Sequence, residues 1–174
     1  MVEVEPTFLE LQGEIHRVAP GVETSLWRCE DDDHRFLQLS TLPSVEVKDA
    51  LADHLVKTRL VEQAAERLRG VPDVQHFAPA WSMRVNASTV HKPMLMSVSL
   101  RAMELGYGDE WVEKLSDNFR EVSVIPGFEG AVIAKSLIVD DQILGLGYWS
   151  VSTAFQQSVP PDPSYEIDLY RRFR

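Results

Sequence analysis

The sequence predicts an α+β protein made of two related halves. Residues 126–155 contain a Pro-Gly pair, a β-branched segment, an acidic turn and a returning strand, in the order that predicts a β-hairpin. The same order begins at Pro20-Gly21, which lies 106 residues before Pro126-Gly127. Repetition of a whole structural unit predicts an internally duplicated chain.

The composition is that of an ordinary globular protein. The chain has 174 residues, of which 44% are hydrophobic and 25% charged, so it can bury a sizeable core. The formal charge of −10 argues against a nucleic-acid partner, because binding to phosphates requires a basic surface. A single cysteine, Cys29, cannot form an internal disulfide and is interpreted as a small buried hydrophobe. With no apolar run of membrane length and no leader, we predict a soluble, cytoplasmic chain without a membrane partner.

The first half, residues 1–88, begins with a predicted helix. Thr7 to Glu10 fits a capping box, and apolar residues recur at helical spacing up to position 18, although a strand remains an alternative. Residues 2–5 are expected to be a strand stub or a disordered lead. This half therefore lacks a recognisable opening strand.

A hairpin and one long helix follow in the first half. Strands are predicted at 24–29 and 35–42, and Ser44 is predicted to cap a helix that ends at Gly70. His54 is expected to be a half-exposed residue of that helix. A strand at 74–85 completes the half, with Pro79 marking a bulge or a sheet edge.

The second half, residues 89–174, follows the order β-α-β-β-α-β with a short second helix. This order is the ferredoxin-like pattern, in which an antiparallel sheet is backed by helices on one face, and we expect the two sheets to pack together. The predicted features are a linker at 86–93, a strand at 94–101, a helix capped by Asp109, a hairpin over 128–149, a short helix capped by Ser150, a proline-rich loop, a strand at 165–170 and a solvated arginine-rich end.

Two strands of the second half carry unusual patterns. Ser97, Ser99 and Arg101 form a polar row on one face of a strand, which indicates either a water-exposed face or the wall of a partly polar cavity. Gly145 and Gly147 precede a tryptophan on one face of the returning hairpin strand. These glycines leave two gaps beside a large aromatic ring.

Several of these residues together resemble a known family. The features are the two Pro-Gly pairs followed by strands, the acidic hairpin turns, the Tyr148-Trp149-Ser150 strand end, the following Ala154-Phe155 and the long helix opened by Ser44. They resemble the dimeric α/β-barrel superfamily, and within it the antibiotic biosynthesis monooxygenase-like domains, here as a fused tandem pair. The resemblance implies a barrel formed within one chain. It also implies a small-molecule enzyme, with cofactor-independent oxygenation, heme degradation and cyclase or isomerase chemistry among the family's activities.

The chain departs from the family's oxygenase pattern at defined positions. The resemblance implies an asparagine four residues before the shared tryptophan and an aromatic residue six residues after it, and here these positions are Gly145 and Phe155. In the first half, the position that matches the asparagine is Gln38, and the position that matches the tryptophan is Leu42. The heme-degrading pattern of the family includes a histidine on the helix after the tryptophan, and this chain has no histidine there. We therefore predict neither a heme, another cofactor nor a metal.

We expect the site to be one apolar cavity with a few polar groups. The resemblance and the strand patterns give as catalytic candidates Trp149, Arg101 and Gln38, and as substrate-binding candidates Gly145, Gly147, Ser97, Ser99, His76, Trp81 and Phe155. Purely structural roles remain open for these residues. The tryptophans could be core residues, Arg101 could form a surface ion pair, and the two glycines could only allow close packing of the sheets.

Three functional alternatives follow. The first is cofactor-independent oxygenation of an aromatic or polyketide-like substrate in secondary metabolism. The second is a polyketide cyclase or isomerase that uses the same cavity, and the third is a non-catalytic ligand-binding protein. The expected partner is a hydrophobic aromatic small molecule, and the expected state is a monomer or a homodimer.

Overall fold

The computed structural model of the chain describes residues 4–68, 70, 72–85, 93–160 and 166–173. Five helices and seven strands lie within these residues, and the strand pairs with a defined register are antiparallel. The predicted α+β class is therefore confirmed. In chain order the elements are α1 (Val4–Val18), β1 (Glu23–Cys29), β2 (Phe36–Thr41), α2 (Val45–Thr58), α3 (Leu60–Leu68), β3 (Phe77–Arg84), β4 (Leu95–Ala102), α4 (Gly108–Val122), β5 (Phe128–Ser136), β6 (Gln142–Trp149), α5 (Ser152–Ser158) and β7 (Asp168–Arg172).

The strands are hydrogen-bonded in the order β2-β1-β7-β4-β6-β5-β3. The chain forms two compact units, one from Met1–Trp27 with Leu37–Val74 and the other from Arg28–Phe36 with Gln75–Phe173. The predicted division at 88/89 concerns an ancestral duplication and stays a prediction. Residues 86–92 of the predicted linker lie outside the described part of the chain.

The first unit is organised by the hairpin and three helices. Its core contains Ile15, Ala19, Val22 and Leu51, with Leu42 packed against them. The helix α1 begins at Val4, so Thr7 lies inside the helix and the predicted capping box is wrong. Thr7 is 2% exposed, so its side chain is buried in the protein interior.

The long helix predicted up to Gly70 is two helices. Arg59 adopts a left-handed conformation with φ 56°, and its backbone N–H donates to carbonyl groups in the last turn of α2. The hydroxyl of Thr58 also donates to the His54 carbonyl, 2.8 Å away. This local hydrogen bonding ends α2, and α3 begins at Leu60. The predicted cap is confirmed, because the Ser44 hydroxyl accepts from the Val47 N–H.

In the second unit, β4, α4, β5, β6, α5 and β7 follow the ferredoxin-like order, and their strands lie as β7-β4-β6-β5. The strand β3 pairs with β5 at the end of this sheet, and the register shifts between Pro79 and Trp81, so both the bulge and the edge position are confirmed. Gly127 has φ 102°, and a Cβ there would lie 3.0 Å from the Ala154 Cβ. The turn before β5 therefore requires glycine for its backbone and for close contact with α5.

The predicted cap of α5 and the predicted tail differ from the structure. The residue before α5 is Val151, and the Ser150 hydroxyl instead donates to the Gly127 carbonyl. Arg171 forms a two-pronged ion pair with Glu30 at 2.7 and 2.9 Å, because β7 lies beside the first hairpin. The arginine-rich tail is therefore not merely solvated. The described residues do not include 161–165 of the proline-rich loop, where the predicted last strand begins, or residue 174.

Candidate functional site

A row of buried polar side chains runs along β4. Ser97, Ser99 and Arg101 are 6%, 7% and 8% exposed. They share a face of the sheet because side chains two positions apart in a strand point the same way. Buried polar groups need partners or a polar cavity, so the structure supports the cavity alternative over the water-exposed one.

Two glycines of β6 make room for the serine hydroxyls. Ser97 lies opposite Gly147 and Ser99 opposite Gly145 in the antiparallel register. A Cβ at Gly145 would lie 2.8 Å from the Ser99 Oγ, and one at Gly147 would lie 2.6 Å from the Ser97 Oγ. Such separations are shorter than any van der Waals contact, so each serine hydroxyl occupies the space that a side chain on β6 would need.

Trp149 connects this polar row to the aromatic core. Its indole Nε1 donates to the Ser97 Oγ at 3.0 Å, and the Ser97 hydroxyl donates to the Gly147 carbonyl at 3.4 Å. Its ring is 2% exposed and meets Phe128 and Phe155 edge to face, with centroid distances of 4.9 and 5.8 Å. Trp149 is therefore both a core residue and the group that orients the Ser97 hydroxyl.

A small cavity, called here the inner cavity, lies over this face of the sheet. Its volume is about 70 Å³. The residues around it combine hydroxyl, amide and guanidinium groups with apolar side chains: Ser97, Ser99, Arg101, Leu115, Asn118, Phe119, Val122, Gly145, Trp149, Phe155, Ser158 and Ile167. All belong to the second unit.

The apolar side of the inner cavity comes from α4. Leu115, Phe119 and Val122 recur at spacings of four and three residues, so they lie on one face of the helix. Asn118 falls in the same stripe and adds an amide to the lining. The face that α4 turns to the sheet is thus mostly apolar, with one polar interruption at the cavity.

The start of α4 is fixed by a residue from the β5–β6 turn. The carboxylate of Asp141 accepts from the backbone N–H groups of Gly106 and Gly108 at 2.6 and 3.0 Å. A Cβ at Gly108 would lie 2.4 Å from that carboxylate. The predicted cap, Asp109, instead pairs with Lys135 at 2.8 Å. Asp141, which is distant in sequence, therefore caps α4. Its negative charge is stabilising there because the N-terminus is the positive end of the helix dipole.

A second, larger depression, called here the outer groove, lies at the end of β4 and the beginning of α4. Its volume is about 690 Å³. Arg101 is the residue common to the inner cavity and the outer groove. The groove is lined by Leu100, Arg101, Ala102, Met103, Glu104, Tyr107, Glu110, Trp111, Lys114 and Glu166.

The charges of the outer groove differ in burial. Glu104, Glu110 and Glu166 are exposed, whereas Arg101 is 8% exposed. The Nζ of Lys114 lies 4.6 Å from the centre of the Trp111 ring, as in a cation–π contact. Water and salt screen the exposed carboxylates more strongly than the buried guanidinium of Arg101.

The structure brings together most, but not all, of the predicted site residues. Ser97, Ser99, Arg101, Gly145, Trp149 and Phe155 line the inner cavity, and Gly147 lies behind Ser97. The remaining three, Gln38, His76 and Trp81, are not among the lining residues. Trp81 stacks on the side chain of Phe119 at 6.2 Å, and the carbonyl of His76 accepts from the Leu137 N–H. Gln38 lies on β2 in the first unit. The roles assigned to these residues stay predictions.

Other residues of the site were missed at the level of sequence. The spacing of Leu115, Phe119 and Val122 predicts a buried helix face, but not a cavity. Asn118 interrupts that apolar stripe, and a polar residue at such a position is a usable signal. The outer groove has no sequence signal, because Tyr107, Trp111 and Leu100 come from different elements.

The residues around the inner cavity do not fit a heme. None of them is a histidine, cysteine or tyrosine, which are common axial ligands, and about 70 Å³ is far less than a porphyrin requires. The helix that follows Trp149, α5, contains no histidine. Among the described residues, no group of three or more histidine, cysteine, aspartate or glutamate side chains is arranged to hold a metal ion.

Comparison with known proteins gives matches in structure. No family model matches the sequence, and no curated protein matches it. An anthrone oxidase-like protein matches with a TM-score of 0.69 and 14% identity, covering 98% of this chain and 86% of that chain. A ferredoxin-fold protein related to antibiotic biosynthesis monooxygenases, from Listeria monocytogenes, matches with a TM-score of 0.60 and 9% identity, covering 98% and 89%. A heme-degrading enzyme from Listeria monocytogenes matches with a TM-score of 0.51 and 11% identity, covering 93% and 92%.

These likenesses define the fold class. The chain has the ferredoxin-like fold of proteins related to antibiotic biosynthesis monooxygenases, and the predicted resemblance is confirmed at the level of the fold. Within the described residues, none of the helices has both the length and the apolar character needed to span a membrane. The cytoplasmic location and the duplication stay predictions.

Proposed function

We propose that the protein is a monooxygenase-like enzyme that oxygenates an aromatic or polyketide-like substrate without a cofactor. The observation that carries the proposal is the buried Arg101, which is shared by a small inner cavity and a large outer groove. A buried guanidinium favours an anion, and an electron-rich carbanion or phenolate can react directly with dioxygen. The anthrone oxidase-like protein of the same fold supports this choice of substrate class.

The proposed reaction needs no external reductant. A substrate CH₂ group loses a proton, and its anion transfers electrons to dioxygen and forms a carbon–oxygen bond. Loss of the second hydrogen with cleavage of the oxygen–oxygen bond yields a carbonyl group and one water molecule. The overall change is CH₂ + O₂ → C=O + H₂O, so the substrate carbon is the only reductant.

The described residues supply three functions for this reaction. Arg101 stabilises the substrate anion and the charge that develops on oxygen. The exposed carboxylates of the outer groove can accept the substrate proton. Trp149 acts as a positioning residue, since its indole N–H orients the Ser97 hydroxyl.

The direct test is oxygen uptake with anthrone in the presence of a metal chelator and without added flavin. We expect uptake by the native protein and formation of the corresponding quinone. The Arg101→Gln variant should lose about 100-fold or more of kcat, the size of effect found when a preorganised charge-stabilising donor is removed. Arg101→Lys should retain part of the activity, because it keeps the charge but not the planar donor geometry.

Arg67→Gln is a matched control, because Arg67 forms an ion pair with Glu10 in the first unit and is 38% exposed. It should leave oxygen uptake unchanged. A chain that consumes no oxygen but rearranges or cyclises a polyketide-like substrate would establish the cyclase or isomerase alternative. Binding without turnover would establish the non-catalytic alternative.

A further inference from the structure

Two polar side chains of the inner cavity have no hydrogen-bond partner among the described residues. Ser99 is 7% exposed and lines the cavity, and no described residue forms a hydrogen bond with its hydroxyl. Asn118 lines the same cavity, and its side-chain amide has no hydrogen bond within the described part of the chain either. Buried hydroxyl groups nearly always have a partner, so an unpartnered one that faces a cavity indicates a ligand that binds there.

The other hydroxyl groups around the inner cavity are already engaged with the protein. The Ser97 hydroxyl accepts from the Trp149 indole and donates to the Gly147 carbonyl. The Ser158 hydroxyl donates to a backbone carbonyl of α5 at 2.7 Å. The neutral donors that are open to a ligand are therefore the two unpartnered groups.

Arg101 sets the sign of the charge that the inner cavity accepts. Its side chain lines the cavity and is 8% exposed. A guanidinium has five N–H donors, so it can contact a ligand in addition to its contacts within the protein. None of the described lining residues is acidic. A buried positive charge next to neutral donors favours a negatively charged ligand, because hydrogen bonds to an ionised acceptor are the stronger ones.

The size of the inner cavity limits the ligand to a few atoms. Its volume of about 70 Å³ exceeds the ~10–15 Å³ that one water needs and is far below the ~300 Å³ at which sites for drug-sized ligands begin. Leu115, Phe119 and Val122 close the side of the cavity that faces α4. Asn118 is exposed, so solvent reaches the cavity at this amide. A small ion can therefore enter without passing through the outer groove.

We propose that the inner cavity is a binding site for a small monovalent anion, of the size of formate, nitrate or chloride. The Ser99 hydroxyl and the Asn118 amide donate hydrogen bonds to the anion, and the Arg101 guanidinium supplies the opposite charge. A single negative charge matches the one positive charge of Arg101. The site is defined by binding alone, so it does not depend on the proposed oxygenation.

Formate is the probe, titrated against gluconate at constant ionic strength in a chloride-free buffer. Gluconate carries the same charge but is too large for a cavity of about 70 Å³, so exchange of the two anions isolates the effect of size. Two-dimensional ¹H–¹⁵N NMR follows the side-chain amide of Asn118 and the indole N–H of Trp149, two residues that line the cavity. We expect both signals to shift saturably with formate and not with gluconate.

Three variants locate the anion. Ser99→Ala removes one donor and should raise the dissociation constant for formate about tenfold or more, as expected from the loss of a hydrogen bond to a charged group. Asn118→Ala should have a similar effect, and Arg101→Gln should abolish saturable binding. Ser116→Ala is the matched control, because Ser116 is a buried serine of α4 whose hydroxyl donates to the Glu113 carbonyl and does not line the cavity. This control should bind formate as the native protein does.

The result that overturns the inference is the same formate affinity in the native protein, Ser99→Ala and Asn118→Ala. These two variants each remove only a few atoms, so they decide the matter even if Arg101→Gln fails to fold. Shifts that remain linear in formate concentration, or that gluconate produces equally, would mean that the cavity holds water only, and the inference would be wrong.

Arg101 also lines the outer groove, which connects the anion site with the proposed function. Formate should raise the KM for the aromatic substrate, because both ligands compete for the same guanidinium. A KM that formate does not change would show that the anion binds away from Arg101 and would overturn the assignment. A protein that binds formate as described but consumes no oxygen would refute the proposed oxygenation and leave the anion site standing.

Discussion

Replacing Gly147 by alanine tests whether the glycines of β6 exist to admit the serine hydroxyls of β4. The new Cβ would lie 2.6 Å from the Ser97 Oγ and 3.1 Å from the Trp149 Nε1. Both atoms belong to the same buried hydrogen-bond chain. The methyl group must therefore displace the Ser97 hydroxyl or separate the two strands.

The expected loss of folding stability in Gly147→Ala comes from two effects. Overpacking a buried site costs about 1–3 kcal/mol. Weakening the bond from the Trp149 indole to Ser97 adds about 1 kcal/mol, the net value of a typical intramolecular hydrogen bond. We therefore expect Gly147→Ala to lower the free energy of unfolding by about 2–4 kcal/mol.

Urea unfolding followed by tryptophan fluorescence measures this change, with circular dichroism as a second probe. Gly13→Ala is the matched control, because Gly13 lies in α1 and a Cβ there would meet nothing within 4 Å. Alanine is preferred over glycine in a helix, so this control should raise stability by about 0.5–1 kcal/mol. The two glycine-to-alanine changes should thus have opposite signs.

A double-mutant cycle gives the decisive result. Ser97→Ala removes the hydroxyl with which the new methyl group collides, so the double variant should be more stable than the sum of the single changes by about 1–2 kcal/mol. Strict additivity of the two changes would refute the proposed steric relation. A Gly147→Ala variant with native stability would refute it as well.

Three further predictions concern the framework of the second unit. Asp141→Ala should lower the unfolding free energy by about 1–2 kcal/mol in urea titrations, the usual value of a helix cap, because the N–H groups of Gly106 and Gly108 lose their acceptor. Asp141→Asn should lower it less, since asparagine tolerates the φ of 53° at this position. Burial raises the pKa of Tyr148, so the folded state holds that proton more tightly than the unfolded state. The unfolding free energy should fall as the pH rises above about 10, and Tyr148→Phe should flatten this fall. Arg171→Gln should cost less than about 1 kcal/mol, and the cost should shrink in high salt, as expected for a partly exposed ion pair with Glu30.

Local patterns predicted the parts of the fold that depend on local physics. The Pro-Gly turn before β5 was predictable because the left-handed region strongly favours glycine, and the structure has φ 102° at Gly127. The β5–β6 hairpin was predictable from its β-branched strand and its acidic turn. The break between α2 and α3 was not, because Arg59 takes a left-handed conformation without being glycine or asparagine.

The candidate site was predictable in its composition but not in its dimensions. The alternation of Ser97, Ser99 and Arg101 could be found from a period of two, whereas their burial depends on where α4 packs. The capping of α4 by Asp141 joins residues 33 and 35 positions apart, and no local pattern reports such a contact. The volume of the inner cavity depends on residues from four elements and a loop, so only the three-dimensional structure reveals it.

The structure also gives a physical account of the main departure from the oxygenase pattern. The resemblance implies an asparagine at position 145, where this chain has glycine. The Ser99 Oγ lies 2.8 Å from the place where a Cβ at that position would be, so the polar group is presented from the neighbouring strand at the same register. An asparagine at 145 and the present position of the Ser99 hydroxyl are mutually exclusive. The glycine therefore does not remove polarity from this wall of the cavity but transfers it from β6 to β4, on the strand that also carries Arg101.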